Sequence, residues 1–188
     1  MGSAMRSSAV LVVTIALAAV PAMAAPKGSK PDGAPRGADA AEAPDLNRWR
    51  LTRDGFGRLK VGLNRAKIER RTGRSLRFSY STGQCAIWTI RGVRGLSIMT
   101  TRGRLARVDV SRGSWRTSLG VRLGDSENTV LSAYPRVRRR HHTYDPDGEY
   151  LIVRGRKRRI VFETNGDDKV TGFRGGRVPE VMYVEGCA

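Results

Sequence analysis

Two cysteines, Cys85 and Cys187, are the residues whose chemistry is easiest to assign from the sequence. Neither has a second cysteine at CxxC spacing and no histidine lies near either one, so a metal site or a catalytic thiol has little support. An even number of cysteines in a chain that starts with an export signal favours a disulfide. This bond would join the C-terminal tail to a strand in the first half of the chain.

Histidines and carboxylates form no catalytic or metal-binding pattern. The only two histidines, His141 and His142, are adjacent, so on an extended segment they point to opposite sides. Asp145 and Asp147 lie in a Pro- and Gly-containing stretch, which favours a structural turn over a calcium site or a glycosidase pair. We therefore expect no catalytic residue, no metal and no cofactor. A hydrolase that uses Asp145 or Asp147 is the third functional hypothesis.

Positive charge is the dominant chemical feature of the chain, which carries 35 Lys and Arg against 17 Asp and Glu, a net charge of +18. Nine of the 35 basic residues fall in two clusters, RVRRRHH at 136–142 and RGRKRR at 154–159. Such a field attracts polyanions, although arginine also serves simply as solvated surface. The aromatic residues able to stack on a ligand are Trp88, Trp115, Tyr144, Tyr150 and Tyr183, and Tyr150 joins the arginines as a candidate. The candidate binding residues are Arg138, Arg139, Arg140, Arg156, Arg158, Arg159 and Tyr150.

The N-terminal 45 residues predict export rather than a folded domain. Arg6 precedes an apolar run at 9–20, and an A-x-A motif ends at Ala24, as in a cleaved secretory signal peptide. This run falls short of the roughly 20 residues that a membrane span needs. Residues 25–45 are rich in Ala, Pro, Gly and charge, which predicts a disordered linker. We expect a secreted or periplasmic protein whose folded domain is 46–188.

The folded part contains one pattern twice. The sequence VGLNRAKIERRTG at 61–73 aligns without a gap with LGDSENTVLSAYP at 123–135 when Gly62 is set on Gly124. Each copy predicts an N-capped helix, at 65–71 after Asn64 and at 127–134 after Asp125 or Ser126. The repeated helix signal predicts a duplicated architecture.

Three apolar runs separated by Gly-containing turns follow each helix and predict a β-meander in each copy. The segments between helix and meander, 74–84 and 136–148, are predicted loops. Alternation along the third run places Ala106, Val108 and Val110 in the core, with Arg107 and Asp109 facing water. The six predicted strands are 85–90, 96–100, 105–110, 149–153, 159–163 and 169–174.

The predicted fold class is therefore α+β. Two tandem α-β-β-β units, about 56–113 and 118–176, are expected to share one antiparallel sheet with the helices on one face. A tail strand within 178–188 would extend the sheet.

These motifs, with the paired meanders, resemble the domain shared by the small outer-membrane assembly lipoproteins and the β-lactamase inhibitory protein family, over 56–176. The resemblance implies helices on one face of a shared sheet and an open concave face. Ala25 stands where the lipoproteins carry a lipidated cysteine, and the turn at 101–104 is basic where the inhibitor is acidic. These departures argue against lipidation and against β-lactamase inhibition.

The leading functional hypothesis is an exported, non-enzymatic binding module that recognises an anionic envelope component or a protein through its sheet face and basic loops. The alternative is a lectin-like carbohydrate-binding protein, because the ending VPEVMYVEGCA resembles that of small secreted bacterial proteins, some labelled lectins. The predicted export argues against nucleic acid as the partner in the cell, despite the charge.

Overall fold

The computed structural model describes residues 43–187, so the predicted signal peptide and most of the predicted linker lie outside the described residues. The described part is a mixed α+β fold of two β-sheets and two α-helices. Neither of these helices has the length and the apolar character that crossing a membrane requires.

Both α-helices begin at the predicted residues: α1 is Arg65–Thr72 and α2 is Glu127–Ala133. The side chains of Asn64 and Ser126 cap them, each accepting a hydrogen bond from the backbone N–H three residues later, at 3.0 and 3.3 Å. Gly73, at a φ of 65°, ends α1 in the left-handed conformation. The sequence thus fixes where each helix begins through its cap.

The strands form a small four-stranded sheet, in the order β3-β2-β1-β8, and a large eight-stranded antiparallel sheet, in the order β4-β5-β6-β7-β12-β11-β10-β9. All six predicted strands are present. The strands are β1 (Arg50–Thr52), β2 (Gly55–Phe56), β3 (Leu59–Lys60), β4 (Leu76–Thr82), β5 (Cys85–Ile90), β6 (Leu96–Thr101), β7 (Arg104–Val110), β8 (Arg116–Thr117), β9 (Val137–His141), β10 (Glu149–Arg154), β11 (Arg158–Thr164) and β12 (Val170–Arg177).

Two segments predicted as loops are strands, so four strands of the large sheet follow each helix, and not three. These are β4 and β9, the two edges of the large sheet. Leu76 is the only buried residue of β4, and β9 has none. Because an edge strand with little burial lacks the alternation of apolar residues that marks a half-buried strand, the sequence pattern missed both.

The prediction of a strand in the C-terminal tail is also wrong. We use the word tail for residues 178–187, whose regular structure is a short 3-10 helix, Glu180–Met182. The apolar residues of the tail pack against the large sheet instead of pairing with its edge: Val181 is buried with Tyr150, Ile152 and Val161.

The helices and the small sheet cover one face of the large sheet, which we call the helix face. Ile68 of α1 and Val130 of α2 are fully buried there, together with Leu51 and Phe56 of the small sheet. Gly175 lets the small sheet approach, since a Cβ atom at that position would lie 2.2 Å from the backbone oxygen of Thr52. The small sheet was not predicted, because its strands are only two or three residues long.

The tail covers much of the opposite face of the large sheet, which we call the tail face. The predicted disulfide is present and joins Cys85 at the start of β5 to Cys187. Arg107, predicted to face water, is only 4% exposed. Its Nη1 donates hydrogen bonds to the backbone oxygens of Glu180 (2.9 Å) and Tyr183 (2.7 Å). The alternation was read correctly, but the second face is not in water because the tail lies on it.

Arg174 on β12 is the second buried arginine of the tail face. Its Nε donates a hydrogen bond to the backbone oxygen of Val181 at 2.8 Å, and its Nη1 pairs with Glu163. A buried guanidinium is tolerated where an opposite charge and hydrogen bonds compensate it, and Arg174 has both a carboxylate and a backbone oxygen as partners. The tail is therefore fixed by one covalent bond and by two buried arginines.

Candidate functional site

A cleft of about 670 Å³ lies where the C-terminal end of α2, the turn after β1 and the end of β10 meet. We call it the basic cleft. Its walls come from segments far apart in the sequence, which only the fold brings together. The residues that line it are Thr52, Arg53, Asp54, Ser118, Leu119, Ala133, Tyr134, Pro135, Arg136, Val153, Arg154 and Ile160.

Three arginines from three segments give the basic cleft its charge. Arg53 follows β1, Arg136 follows α2, and Arg154 ends β10. Arg53 Nη1 donates a hydrogen bond to the backbone oxygen of Arg154 at 3.0 Å, which ties two of the walls together. Within residues 43–187, none of the three guanidinium groups lies in a salt bridge. Their charge is therefore available to an anion.

Asp54 is the one acidic residue among those that line the basic cleft. Its carboxylate is paired with the guanidinium of Arg158 on β11. Arg158 thus compensates the acid at the rim, and the field inside the cleft stays positive. The adjoining surface adds to it, since Arg156 and Lys157 line a shallower depression beside Arg53.

Apolar side chains form much of the rest of the basic cleft. Val153 and Ile160 belong to the core, while Leu119 stands 57% exposed at the opening. The ring of Tyr134 packs on Phe162 with centroids 5.5 Å apart. Its hydroxyl is buried and has no hydrogen-bond partner among the described residues. The cleft therefore combines a positive rim with an apolar lining.

The predicted arginines of β9 lie on both faces of the sheet. Arg138 and Arg140 are exposed on the tail face, opposite Ile152 and Tyr150 in the register with β10. Arg139 lies on the helix face, where its Nη1 is 2.6 Å from Glu127 and 2.9 Å from Glu149. The three consecutive arginines therefore do not form one patch.

Burial raises the pKa of Glu127, and the nearby carboxylate of Glu149 adds to the effect although Arg139 opposes it. Arg139 thus serves to compensate two acids of the protein itself. A guanidinium held in this way is less available to an external anion than those of the basic cleft.

Tyr150, proposed from the sequence as a ligand-stacking residue, is 5% exposed. Its ring stacks on His142 with centroids 4.5 Å apart, and Arg174 lies over the ring at 5.7 Å. A ligand at the surface therefore has no access to this ring. Of the remaining predicted residues, Arg156 is exposed in the turn between β10 and β11, while Arg159 is half-buried.

His142 and the aspartates before β10 are engaged in building the loop there. His142 Nδ1 accepts hydrogen bonds from the backbone N–H groups of Tyr144 (3.2 Å) and Asp145 (3.0 Å). Asp145 accepts one from the backbone N–H of Asp147 at 3.2 Å. No cluster of three or more His, Cys, Asp or Glu side chains in the described part of the chain is placed to hold a metal ion.

The sequence pointed to both basic clusters but not to the cleft between them. Val137 and Val153 are register partners, so the strand pair brings Arg136 and Arg154, one residue further on, to the same cleft. This placement follows from β9 being a strand, and β9 was predicted to be a loop. Arg53 and Leu119 carry no signal in the sequence, because each lies in a short segment with no motif.

Comparison with solved structures places the fold among known ones. The uncharacterized protein yfeY from Escherichia coli is similar over 68% of this chain and 99% of its own, with a TM-score of 0.50 and 15% identity. An extracellular protein containing a SCP domain, from Bacillus anthracis str. Ames, is similar over 63% of this chain and 44% of its own, with a TM-score of 0.44 and 8% identity. No protein-family model and no curated protein matches the chain. The first likeness concerns the fold alone.

Proposed function

We propose that this protein is an exported, non-enzymatic binding module that takes an anionic component of the cell envelope in the basic cleft. The observation that carries the proposal is the convergence of Arg53, Arg136 and Arg154 on one cleft, while Arg158 compensates the only acid there. Guanidinium groups bind phosphate and carboxylate through paired hydrogen bonds. The resulting activity is recognition, not turnover.

Export is part of this proposal. The signal-like segment that ends near Ala24 supports it, as does the disulfide between Cys85 and Cys187, since such bonds persist in oxidising compartments. A protein outside the cytoplasm meets lipid headgroups, acidic polysaccharides and other proteins rather than nucleic acid.

We also infer that the fold is a tandem of two α-β-β-β-β units. Two matching hydrogen bonds support this. The backbone N–H of Gly62, before α1, donates to the oxygen of Leu105 on β7, and that of Gly124, before α2, donates to the oxygen of Val170 on β12, both at 2.8 Å. The two acceptors, Leu105 and Val170, are each four residues before a residue of the central strand pair, because Asp109 of β7 and Arg174 of β12 are register partners. A pseudo-two-fold axis through this pair relates the halves, as the resemblance to the tandem β-lactamase inhibitory protein implies.

Binding of polyphosphate at two salt concentrations tests the proposed function. Affinity should fall steeply with salt, since phosphate contacts release counterions. The double variant Arg136→Ala/Arg154→Ala should bind about tenfold more weakly, because two charge-assisted contacts are lost. Arg70→Ala/Arg91→Ala is the matched control, since both residues are exposed, lie outside the cleft and remove the same charge. Equal losses in both double variants would contradict the cleft and leave only a general electrostatic attraction.

A glycan site on the tail face is the second candidate function. Tyr144 is 62% exposed, and its hydroxyl pairs with the carboxylate of Glu185 in the tail. The exposed Tyr183 lies two residues before that glutamate. An exposed ring beside a carboxylate suits a sugar, whose binding should be nearly independent of salt. Tyr144→Ala should abolish such binding and leave polyphosphate binding unchanged.

A further inference from the structure

Part of the basic cleft is lined by apolar side chains, and a purely ionic ligand would make no favourable contact with them. We propose that its ligand is a phosphate-headed lipid with a single acyl chain, the phosphate held by the rim arginines and the chain lying on the apolar lining. This inference rests on the proposed function, since it assumes that Arg53, Arg136 and Arg154 bind an anion.

The charge of the cleft favours a phosphate head over a carboxylate. Three guanidinium groups line it, and Arg158 already compensates the carboxylate of Asp54. A carboxylate brings one charge and can form paired hydrogen bonds with one guanidinium at a time. A phosphate monoester brings between one and two charges and more acceptor oxygens, so it can engage more than one arginine.

The apolar part of the cleft favours an acyl chain. Leu119 is more than half exposed at the opening, although nearly every other large aliphatic side chain of the described chain is at least partly buried. Below it, Val153 and Ile160 extend the apolar surface inward. Covering such a surface with methylene groups removes apolar area from water on both partners.

The size of the cleft favours one chain over a polymer or a bilayer. Its volume of about 670 Å³ lies within the range of roughly 300–1,000 Å³ that is usual for small-ligand sites. Each of the three arginines stands on a different wall of the cleft: Arg53 in the turn after β1, Arg136 just after α2 and Arg154 at the end of β10. A head group placed among them leaves the surface around Leu119 for the chain.

Titration of the protein with lysophosphatidic acid carrying a myristoyl chain, below its aggregation concentration, tests the inference. Inorganic phosphate, neutral monomyristoylglycerol and myristate are titrated in parallel. We expect the lysophospholipid to bind about tenfold or more tightly than inorganic phosphate and than the neutral lipid, because each of these lacks one of the two contacts. Myristate should bind more weakly than the lysophospholipid.

Two variants separate the apolar contribution from the charged one. Leu119→Ser removes the exposed apolar side chain without a change of charge, and its exposure makes loss of folding improbable; circular dichroism checks this. It should weaken lysophospholipid binding several-fold, and by a clearly larger factor than it weakens polyphosphate binding. Arg136→Ala/Arg154→Ala should weaken both, and Arg70→Ala/Arg91→Ala should weaken neither by more than about twofold.

The outcomes distinguish the two levels of the proposal. If inorganic phosphate competes as well as the lysophospholipid, or if Leu119→Ser binds the lipid normally, the lipid inference is overturned while anion recognition by the cleft stands. If the protein binds only bilayer vesicles of anionic lipid and not the monomeric lysophospholipid, the lipid inference is overturned as well. If no anion depends on Arg136 and Arg154, both proposals fail.

Discussion

The two halves of the large sheet have the same order of elements, but their edge strands expose different kinds of side chain. In the first half, α1 precedes β4 to β7; in the second, α2 precedes β9 to β12. The first edge, β4, exposes the aromatic side chains of Phe78 and Tyr80. The second edge, β9, exposes Arg138 and Arg140. The same order of elements thus ends in edge strands with two different surfaces.

The inner strands supply most of the buried core residues of the large sheet, while its edge strands and turns carry exposed charged and aromatic side chains. Charged edge strands resist pairing with another chain, so the arginines of β9 protect that edge. β4 carries one charged residue, Arg77, and Phe78 packs edge-on against Trp88 at 5.5 Å. We therefore expect any strand-to-strand pairing with a protein partner at β4 and ligand binding in the second half.

The tail is bound to the first half by the disulfide and to the second half by a hydrogen bond from Arg174. We expect the largest loss of stability when the disulfide is removed. The change Cys85→Ser with Cys187→Ser should lower the free energy of unfolding by about 4–5 kcal/mol in the chain-entropy model, because the bond joins residues 102 apart. Urea denaturation measures this. Hydrogen exchange should quicken around Met99, which packs on the disulfide, more than around Val181, which packs on the second half. Equal loosening at both places would mean that the tail is one cooperative element.

The non-covalent link to the second half gives the next largest effect. Arg174→Ala removes the donor to the oxygen of Val181 and leaves the carboxylate of Glu163 without its partner, which should cost about 3 kcal/mol of unfolding free energy. Here exchange should quicken first around Val181, the reverse of the disulfide variant. The exposed Arg70→Ala is the control and should change stability by less than about 0.5 kcal/mol.

The helix caps compare the halves at matched positions. Asn64→Ala and Ser126→Ala each remove one hydrogen bond to the first turn of a helix, and each should cost about 1 kcal/mol. Thermal unfolding of both variants in one buffer measures the two costs. If one cap variant lost several times more unfolding free energy than the other, the two helices would contribute unequally to stability. That result would argue against equivalent units.

These caps also mark what the sequence could predict. Caps, helix periodicity and alternating apolar residues are local signals, and they located both helices and the six inner strands. The disulfide was predicted from the even number of cysteines and from the predicted export to an oxidising compartment, and this argument does not require knowledge of the fold. Features that depend on what lies on a face were not accessible: Arg107 reads as a water-facing residue until the tail covers it.

The candidate site was less predictable than the fold for the same reason. Arg138, Arg139 and Arg140 form a cluster in the sequence, but alternation along β9 divides them between two faces. Arg53 and Arg154 are separated by about a hundred residues in sequence and touch only in the folded protein. Density of charge along the chain is therefore a poor guide to density of charge at a site.

Two glutamates give the smallest and most specific contrast between the halves. In the first half, a hydrogen bond from the backbone N–H of Leu76 at 2.9 Å, helped by Arg65, lowers the pKa of Glu69. In the second half, burial raises the pKa of Glu127 in spite of Arg139. A carboxyl group whose pKa is lowered by folding stabilises the protein at pH values above its unfolded-state pKa, and this stability is lost as the pH falls through the folded-state pKa. A group whose pKa is raised by folding contributes stability at low pH, which is lost as the pH rises through the folded-state pKa.

The two conservative variants should therefore change stability in opposite directions. At neutral pH, Glu69→Gln should lower the free energy of unfolding and Glu127→Gln should raise it, each by about 1 kcal/mol or less. The Glu69 difference should shrink as the pH falls from the ordinary pKa of a glutamate through the lowered folded-state pKa, and the Glu127 difference as the pH falls through its raised folded-state pKa. In each case the wild-type side chain then becomes neutral like glutamine. Urea denaturation from pH 3 to pH 7 measures both. A loss of stability in both variants at neutral pH would show that the Arg139 contact outweighs burial, so that the ionised Glu127 stabilises the fold as the ionised Glu69 does.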